Sequence, residues 1–130
     1  MTSEEGLSHA VRIFIREHIH SVADLDLLAL VSSAPDRLWT LQALDRALRS
    51  NQQSLAQRLA MFVRNGLVEK DEAAADQYCY RPRDAALASA AAEAVREYRT
   101  RPVLVIETIF RPDSDAAQSF ADAFRLRPPT

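Results

Sequence analysis

The sequence predicts a mainly helical domain with one small β-hairpin, an α+β fold in which residues 1–130 form a single unit. Of the 130 residues, 22 are alanine and 48% are apolar, a composition that favours closely packed helices. Most of the apolar residues recur at the three- and four-residue spacing of a helical stripe. Only the segments 67–70 and 78–81, joined by a polar, alanine-containing loop, have the pattern of two short strands.

The N-terminal part of the chain is predicted to form two helices. The first covers 4–20 and places its apolar residues on one stripe. These residues are Leu7, Val11, Phe14 and Ile15, with His18 on the same face. Ser21 is suited to begin the second helix, over 22–33, and Pro35 ends it because the residue before a proline is forced out of the helical region.

Two further helices precede the hairpin. Thr40 is well placed to cap a helix over 41–49. The sequence Ser-Asn-Gln-Gln at 50–53 matches a capping box and predicts a helix over 52–65. Gly66 follows at the position where a left-handed residue commonly ends a helix.

Three helices are predicted after the hairpin. Asp84 can cap an alanine-rich helix over 85–99. The segment 103–110 is interpreted as a helix because its apolar spacing is helical, although its β-branched residues also suit a buried strand. A last short helix over 114–124 carries Phe120 and Phe124, and the tail 127–130 is expected to be disordered.

Composition excludes several classes of protein. Two glycines leave no material for a phosphate-binding loop, which excludes P-loop and dinucleotide-binding enzymes. The single cysteine, Cys79, cannot form an internal disulfide, so we expect a reducing, cytoplasmic environment. No apolar run approaches the roughly 20 residues of a membrane span, and the acidic N-terminal segment is unlike a secretory signal.

Catalytic and metal-ligating patterns are not found in the sequence. His18 and His20 are two residues apart and would face different sides of a helix, as would Asp24 and Asp26. No serine lies in a nucleophile motif. We therefore expect no enzyme activity, no metal and no cofactor, and we interpret Cys79 as a small packed residue.

Two helices joined by a tight turn, then a glycine and a hairpin, give 23–82 a distinctive order of elements. The order is carried by Trp39–Leu44 (WTLQAL) and Gln53–Val68 (QSLAQRLAMFVRNGLV). This stretch resembles the winged helix-turn-helix domains of bacterial transcription regulators, such as the MarR-like and ArsR-like families. The resemblance implies a winged-helix core over 21–82, with 52–65 as the recognition helix and the hairpin as the wing.

The resemblance also implies an assembly. In the MarR-like arrangement the N- and C-terminal helices pack across a two-fold axis, and residues 4–20 and 85–124 are available for that purpose. We expect a homodimer whose recognition helices lie about one DNA turn apart, roughly 34 to 36 Å. The alternative is that the terminal helices fold back on their own domain. No residue pattern identifies a pocket for a small-molecule effector.

If the resemblance holds, the outward face of the recognition helix contacts double-stranded DNA. Glutamine can pair with an adenine edge, arginine with guanine or phosphate, and serine with either. That face comprises Gln52, Gln53, Ser54, Gln57, Arg58, Met61 and Arg64. Arg46 and Arg49 on the preceding helix are expected to hold phosphates, and the net charge of 36–65, with five arginines and two aspartates, is +3.

The hairpin favours a different function. Its carboxylates repel phosphates. They outnumber the single lysine of the hairpin, and the net charge of the whole chain is -2. The charged residues are Glu69, Lys70, Asp71, Glu72 and Asp76. The sequence therefore leaves two functions open: a dimeric DNA-binding regulator, and a winged-helix module that binds another protein and not DNA.

Overall fold

The computed structural model describes residues 6–71, 73 and 77–111, and within them it contains six helices and three strands. In chain order they are α1 His9–His18, α2 Val22–Ser32, β1 Leu38–Thr40, α3 Leu41–Leu48, α4 Gln52–Arg64, β2 Val68–Lys70, β3 Gln77–Tyr80, α5 Ala85–Thr100 and α6 Pro102–Phe110. The predicted mainly helical α+β class is confirmed. The predicted helix over 114–124 and the tail lie outside the described residues.

The first helix is shorter than the sequence predicts. It begins after Ser8, whose hydroxyl accepts the backbone N–H of Val11, and it ends at His18. Ile19 is extended, with φ -121° and ψ 115°, because the next helix is capped by an extended Ser21 only two residues later. The prediction of a helix over 4–20 is therefore wrong for residues 19–20 at its C-terminal end and for residues 6–8 at its start.

Short polar side chains begin the helices at three predicted positions. Ser21, Thr40 and Asp84 each accept the backbone N–H three residues further on, at Asp24, Ala43 and Leu87. These bonds satisfy donors that an α-helix leaves without an intrahelical partner.

The start of α4 differs from the prediction by one residue. Asn51, and not Ser50, is the capping residue, and its Oδ1 accepts the backbone N–H of Ser54 at 2.7 Å. Arg49 has the left-handed conformation, φ 53° and ψ 47°, which ends α3 and places Ser50 outside both helices. The turn between α3 and α4 is therefore only three residues long.

Gly66 ends α4 as predicted. Its φ is +81°, its N–H donates to Val63 O, and the N–H of Leu67 donates to Phe62 O. This pair of bonds is the Schellman arrangement, and Phe62 and Leu67 are both fully buried beside it. The turn directs the chain from α4 into β2.

The predicted hairpin is confirmed, and the structure adds a third strand. The antiparallel sheet has the order β1-β3-β2, with Trp39 opposite Tyr78 and Val68 opposite Tyr80. These four side chains form the buried face of the sheet. Cys79 lies on the opposite face, where its thiol donates to Pro35 O at 3.2 Å.

The terminal helices pack on one another within a single chain. α5 contacts α1, α2 and α6, and α1 also contacts α6. Ala91 and Ala94 of α5 are fully buried, as expected for helices that approach closely. Tyr98 of α5 donates its hydroxyl to Asp26 of α2 at 2.7 Å, which raises the pKa of Tyr98 to about 12. The segment 103–110, for which helix and strand both suited the sequence, is helical.

His18 is buried at the end of α1. Its ring lies 4.8 Å from that of Phe14, and its Nδ1 has no hydrogen-bond partner among the described residues. Burial lowers the pKa of His18 below its ordinary value of 6.5, opposed by the charge of Glu17 and aided by Arg83 and His20. A proton on His18 therefore disfavours the folded state.

We expect Gly66→Ala to destabilise the protein by about 1 to 3 kcal/mol. The left-handed φ strains any residue with a Cβ, and that atom would lie 2.8 Å from Nη1 of Arg83. Gly6→Ala is the matched control, because its Cβ would meet its nearest neighbour at 3.6 Å, an ordinary contact. Urea unfolding measures both variants, and equal midpoints would contradict the expectation.

We expect the free energy of unfolding to fall as the pH drops below about 6.5. In that range the unfolded His18 binds a proton that the folded state binds only at lower pH, so acid favours unfolding. His18→Gln should reduce the loss of melting temperature between about pH 7 and 5, whereas His9→Gln, an exposed position on α1, should not. Identical pH profiles for the two variants would overturn this expectation.

Candidate nucleic-acid interface

The exposed residues of α4 are three glutamines, one arginine, Ala60 and Val63. Leu55, Leu59 and Phe62 seat the helix on the core. The helix contains no acidic residue from its first to its last position. The exposed members of the predicted DNA-binding set are Gln52, Gln53, Gln57 and Arg64, with Ser54 and Met61 partly buried beside them.

Two more arginines lie just before α4. Arg46 is exposed in the last turn of α3, and the left-handed Arg49 is exposed in the turn between the helices. Among the residues that the structure describes, no carboxylate pairs with Arg46, Arg49 or Arg64. The exposed surface of α3 and α4 therefore carries three arginines that form no ion pair with a described carboxylate.

Arg58, in the middle of α4, has partners within the protein. Its Nη1 donates to Oδ1 of Asp24 at 2.6 Å and to Oγ of Ser21 at 2.9 Å. The Asp24 side chain is only 3% exposed and that of Arg58 is 26% exposed. The guanidinium is turned towards the start of α2, and Arg58 also lines a surface cleft with Ser54 and Gln57.

The two oxygens of the Asp24 carboxylate bind different parts of the protein. Its Oδ2 accepts the backbone N–H of His20 at 2.8 Å, which supports the start of α2. Its Oδ1 is the atom that holds Arg58, a residue 34 positions further along the chain. Sequence patterns relate residues only a few positions apart, so the pairing of Asp24 with Arg58 could not be predicted from the sequence.

A cleft opens beside the ion pair. It has a volume of about 310 Å³ and lies between the start of α2 and α4. Its lining includes His20, Ser54, Gln57 and Met61, so it continues the polar surface of α4.

The arginines near the hairpin are engaged within the protein. Arg81 pairs with Glu69 at 3.0 Å, and both side chains are more than half exposed. Arg83 donates to Asn65 O at 2.6 Å and lies 3.5 Å from a carboxylate oxygen of Asp84. These contacts stabilise the end of α4 and the base of the hairpin. Glu72 and Asp76, which contribute to the predicted acidity, lie outside the described residues.

Metal ligands do not converge in the described residues, where no group of three His, Cys, Asp or Glu side chains could hold an ion. His18 is buried whereas His20 is exposed. Asp24 and Asp26 bind different partners, on α4 and α5 respectively. No helix in the described part of the chain is long and apolar enough to cross a bilayer.

Comparisons with known proteins identify no relative. No protein-family model matches the sequence, and neither the curated proteins nor the solved structures contain a match. The assignment of this surface therefore rests on its own geometry and charge.

We expect Arg58→Met to destabilise the protein by about 3 kcal/mol, because it leaves the buried Asp24 carboxylate without its cation. Asp24→Asn should also destabilise it, and the double variant should lose less than the sum of the two. Urea unfolding followed by fluorescence of Trp39, which is the only tryptophan and is buried, measures the cycle.

Arg64→Met is the control for this cycle, because Arg64 is exposed and unpaired with any described carboxylate; its effect should stay within about 0.5 kcal/mol. Additive losses in the Asp24 and Arg58 variants would show that the two side chains do not stabilise the fold as a pair.

Proposed function

We propose that this protein binds double-stranded DNA through the exposed face of α4 and acts as a winged-helix transcription regulator. One observation carries the proposal. A helix that has no acidic residue exposes amide side chains, and the three arginines around that face have no carboxylate partner among the described residues. Such a surface has hydrogen-bonding groups for base edges and free positive charge for phosphates.

The residues of this surface divide into two roles. Gln53 and Gln57, one turn apart on α4, present carboxamides that suit the edge of adenine in the major groove. Arg46, Arg49 and Arg64 contact phosphates, which fixes the position of the helix but reads no sequence. Gln52 and Ser54 lie in the first turn of α4, where backbone N–H groups also favour an anion.

Arg58 acts as a positioning residue in this proposal. Its bond to Asp24 fixes the middle of α4 against the start of α2. Moving the guanidinium to DNA would leave a carboxylate that is 3% exposed without its cation, which is unfavourable. Arg58 therefore supports the orientation of the glutamines without touching DNA itself.

The hairpin has no part in the proposed contact. The pairing of Glu69 with Arg81 removes one of its negative charges, but Asp71 and the sequence positions Glu72 and Asp76 remain acidic. Phosphates repel such a loop. We therefore assign DNA contact to α3 and α4 alone.

We extend the proposal to a two-fold dimer formed by the terminal helices. α5 exposes small side chains along one face, which allows a second helix to approach closely. These residues are Ala85, Ala86, Ser89 and Ala92. Two recognition helices would then address half-sites about one DNA turn apart.

A protein-binding module is the second candidate function. It is favoured by apolar side chains that remain exposed beside the acidic hairpin, with Leu38 49% exposed on β1 and Val63 36% exposed on α4. A protein partner can bind both the exposed apolar side chains and the acidic hairpin, whereas neither of them contributes to DNA binding.

Salt dependence of binding to a random-sequence duplex distinguishes the two functions. We expect binding at about 50 mM salt that weakens steeply as salt is raised, because each phosphate contact releases counterions. The triple variant Arg46→Ala, Arg49→Ala, Arg64→Ala should lower the slope of log K against log salt by about 0.9 per arginine. Arg16→Ala, at an exposed position on α1, is the matched control.

Arg58→Met should weaken DNA binding through loss of positioning while leaving the salt slope unchanged, since no phosphate contact is removed. Absence of binding at low salt would reject the DNA-binding function and favour the protein-binding module. In light scattering, a mass of 14.6 kDa at micromolar concentration would reject the dimer.

A further inference from the structure

A short junction joins α1 to α2. It consists of Ile19, His20 and Ser21, and it follows directly on His18, the last residue of α1. Ile19 is extended and only 2% exposed, and Ser21 caps α2. Because only Ile19 and His20 lie between His18 and this cap, a displacement of the His18 side chain is transmitted directly to the start of α2.

The His18 ring occupies a site that suits its neutral form. His18 is 7% exposed, whereas His9 and His20 are exposed. Its ring packs against Phe14, and its Nδ1 is buried without a hydrogen-bond partner among the described residues. An imidazolium donates hydrogen bonds from both ring nitrogens, and a buried donor without an acceptor is unfavourable. A proton is therefore held well only by a ring that has left this site.

Three described ionisable groups act on the His18 ring, each from a different part of the chain. Glu17 on α1 favours the proton, but its carboxylate is 3.9 Å from Nε2 and 62% exposed, so solvent screens it. His20 in the junction and Arg83 after β3 both disfavour the proton. Neither α5 nor α6, which also pack against α1, adds a described group to this set. Burial is the largest influence, and it lowers the pKa of His18.

Two contacts connect the surroundings of His18 to α4. The backbone N–H of His20 donates to Oδ2 of Asp24 at 2.8 Å, and Oδ1 of the same carboxylate holds Arg58 in the middle of α4. Arg83, which opposes a proton on His18, donates to the backbone carbonyl at the end of α4 at 2.6 Å. The protonation state of His18 therefore bears on α4 at two positions.

We propose that His18 is a pH-sensitive switch in the junction: its neutral ring keeps the junction closed, and protonation opens the junction and breaks the bond from His20 to Asp24. In the open state the Asp24 carboxylate has lost a hydrogen-bond donor, and its link to Arg58 holds α4 less firmly. Because α4 carries the glutamines of the proposed DNA contact, mild acid weakens DNA binding. This last consequence rests on the proposed function, whereas the opening of the junction does not.

The pH range and the size of the effect follow from proton binding. In the closed junction the His18 ring binds a proton only at low pH, whereas in the open junction its pKa returns to its ordinary value of 6.5. Above that pH neither state binds the proton, and the junction stays closed. One pH unit below it, proton binding favours opening by at most about tenfold.

Hydrogen exchange of the His20 backbone N–H in the full chain tests the opening without DNA. We expect its protection factor to fall by about five- to tenfold between about pH 7.5 and 5.5. Urea below the unfolding transition should accelerate exchange at Ala94, which is fully buried in α5, but not at His20, because a local opening exposes little surface. A pH-independent protection factor at His20, or the same response to urea at both residues, would overturn the proposal.

Substitutions at His18 identify the group that binds the proton. In His18→Gln the protection of the N–H at position 20 should no longer depend on pH, and His18→Leu, an apolar replacement suited to a buried site, should give the same result. His20→Gln is the matched control, because it keeps the His18 ring and the backbone N–H, so its protection should still fall in acid. A pH dependence that persists in both His18 variants contradicts the proposal.

DNA affinity measures the functional consequence. On one duplex at constant salt, the unmodified chain should lose up to about tenfold in affinity between about pH 7.5 and 5.5. His18→Gln should lose none, because protonation of the exposed His9 and His20 adds positive charge that favours DNA. An equal loss in both proteins would show that His18 does not control DNA binding. Binding at neither pH would count against the proposed function alone, since the exchange measurement requires no DNA.

Discussion

The buried carboxylate of Asp24 imposes a constraint that organises the region around α2 and α4. A carboxylate that is 3% exposed must be both hydrogen-bonded and paired, because an isolated buried charge is strongly unfavourable. The chain meets this requirement with the backbone N–H of His20 and the guanidinium of Arg58. One side chain thus supports the start of α2 and links it to the middle of α4, the helix that exposes the glutamines.

The same constraint gives the two arginines of α4, Arg58 and Arg64, different roles. Arginines are commonly assigned to ligand contact because of their charge, and in α4 two arginines six residues apart have different environments. Arg58 is ion-paired inside the protein, whereas Arg64 is exposed and unpaired with any described carboxylate. The proposed interface therefore uses the ends of the α3–α4 pair for charge and the first two turns of α4 for hydrogen bonding.

The two ends of α4 are held by different means. Asn51 caps its start, where exposed backbone N–H groups and the proposed contact residues lie. Its other end is closed by Gly66 in the left-handed conformation and by Arg83, whose guanidinium covers the Asn65 carbonyl. The hairpin that follows is tied to this end of α4, where the N–H of Arg83 donates to Gly66 O. The terminal helices form a second region, in which α5 packs against α1, α2 and α6.

The sequence by itself determined the features that depend on nearby residues. Helical stripes, the caps at Ser21, Thr40 and Asp84, and the left-handed Gly66 are set by residues three or four positions apart, so the fold class and most helix positions could be predicted. Only the tertiary structure decided the contacts between distant segments: β1 pairs with β3, and Tyr98 reaches Asp26 across 72 positions. For the candidate site, local spacing identified which side chains α4 presents, but it could not show that Arg58 has a partner 34 positions away. The physical reason is that a charge selects its partner through space, and the folded chain alone defines which groups become neighbours.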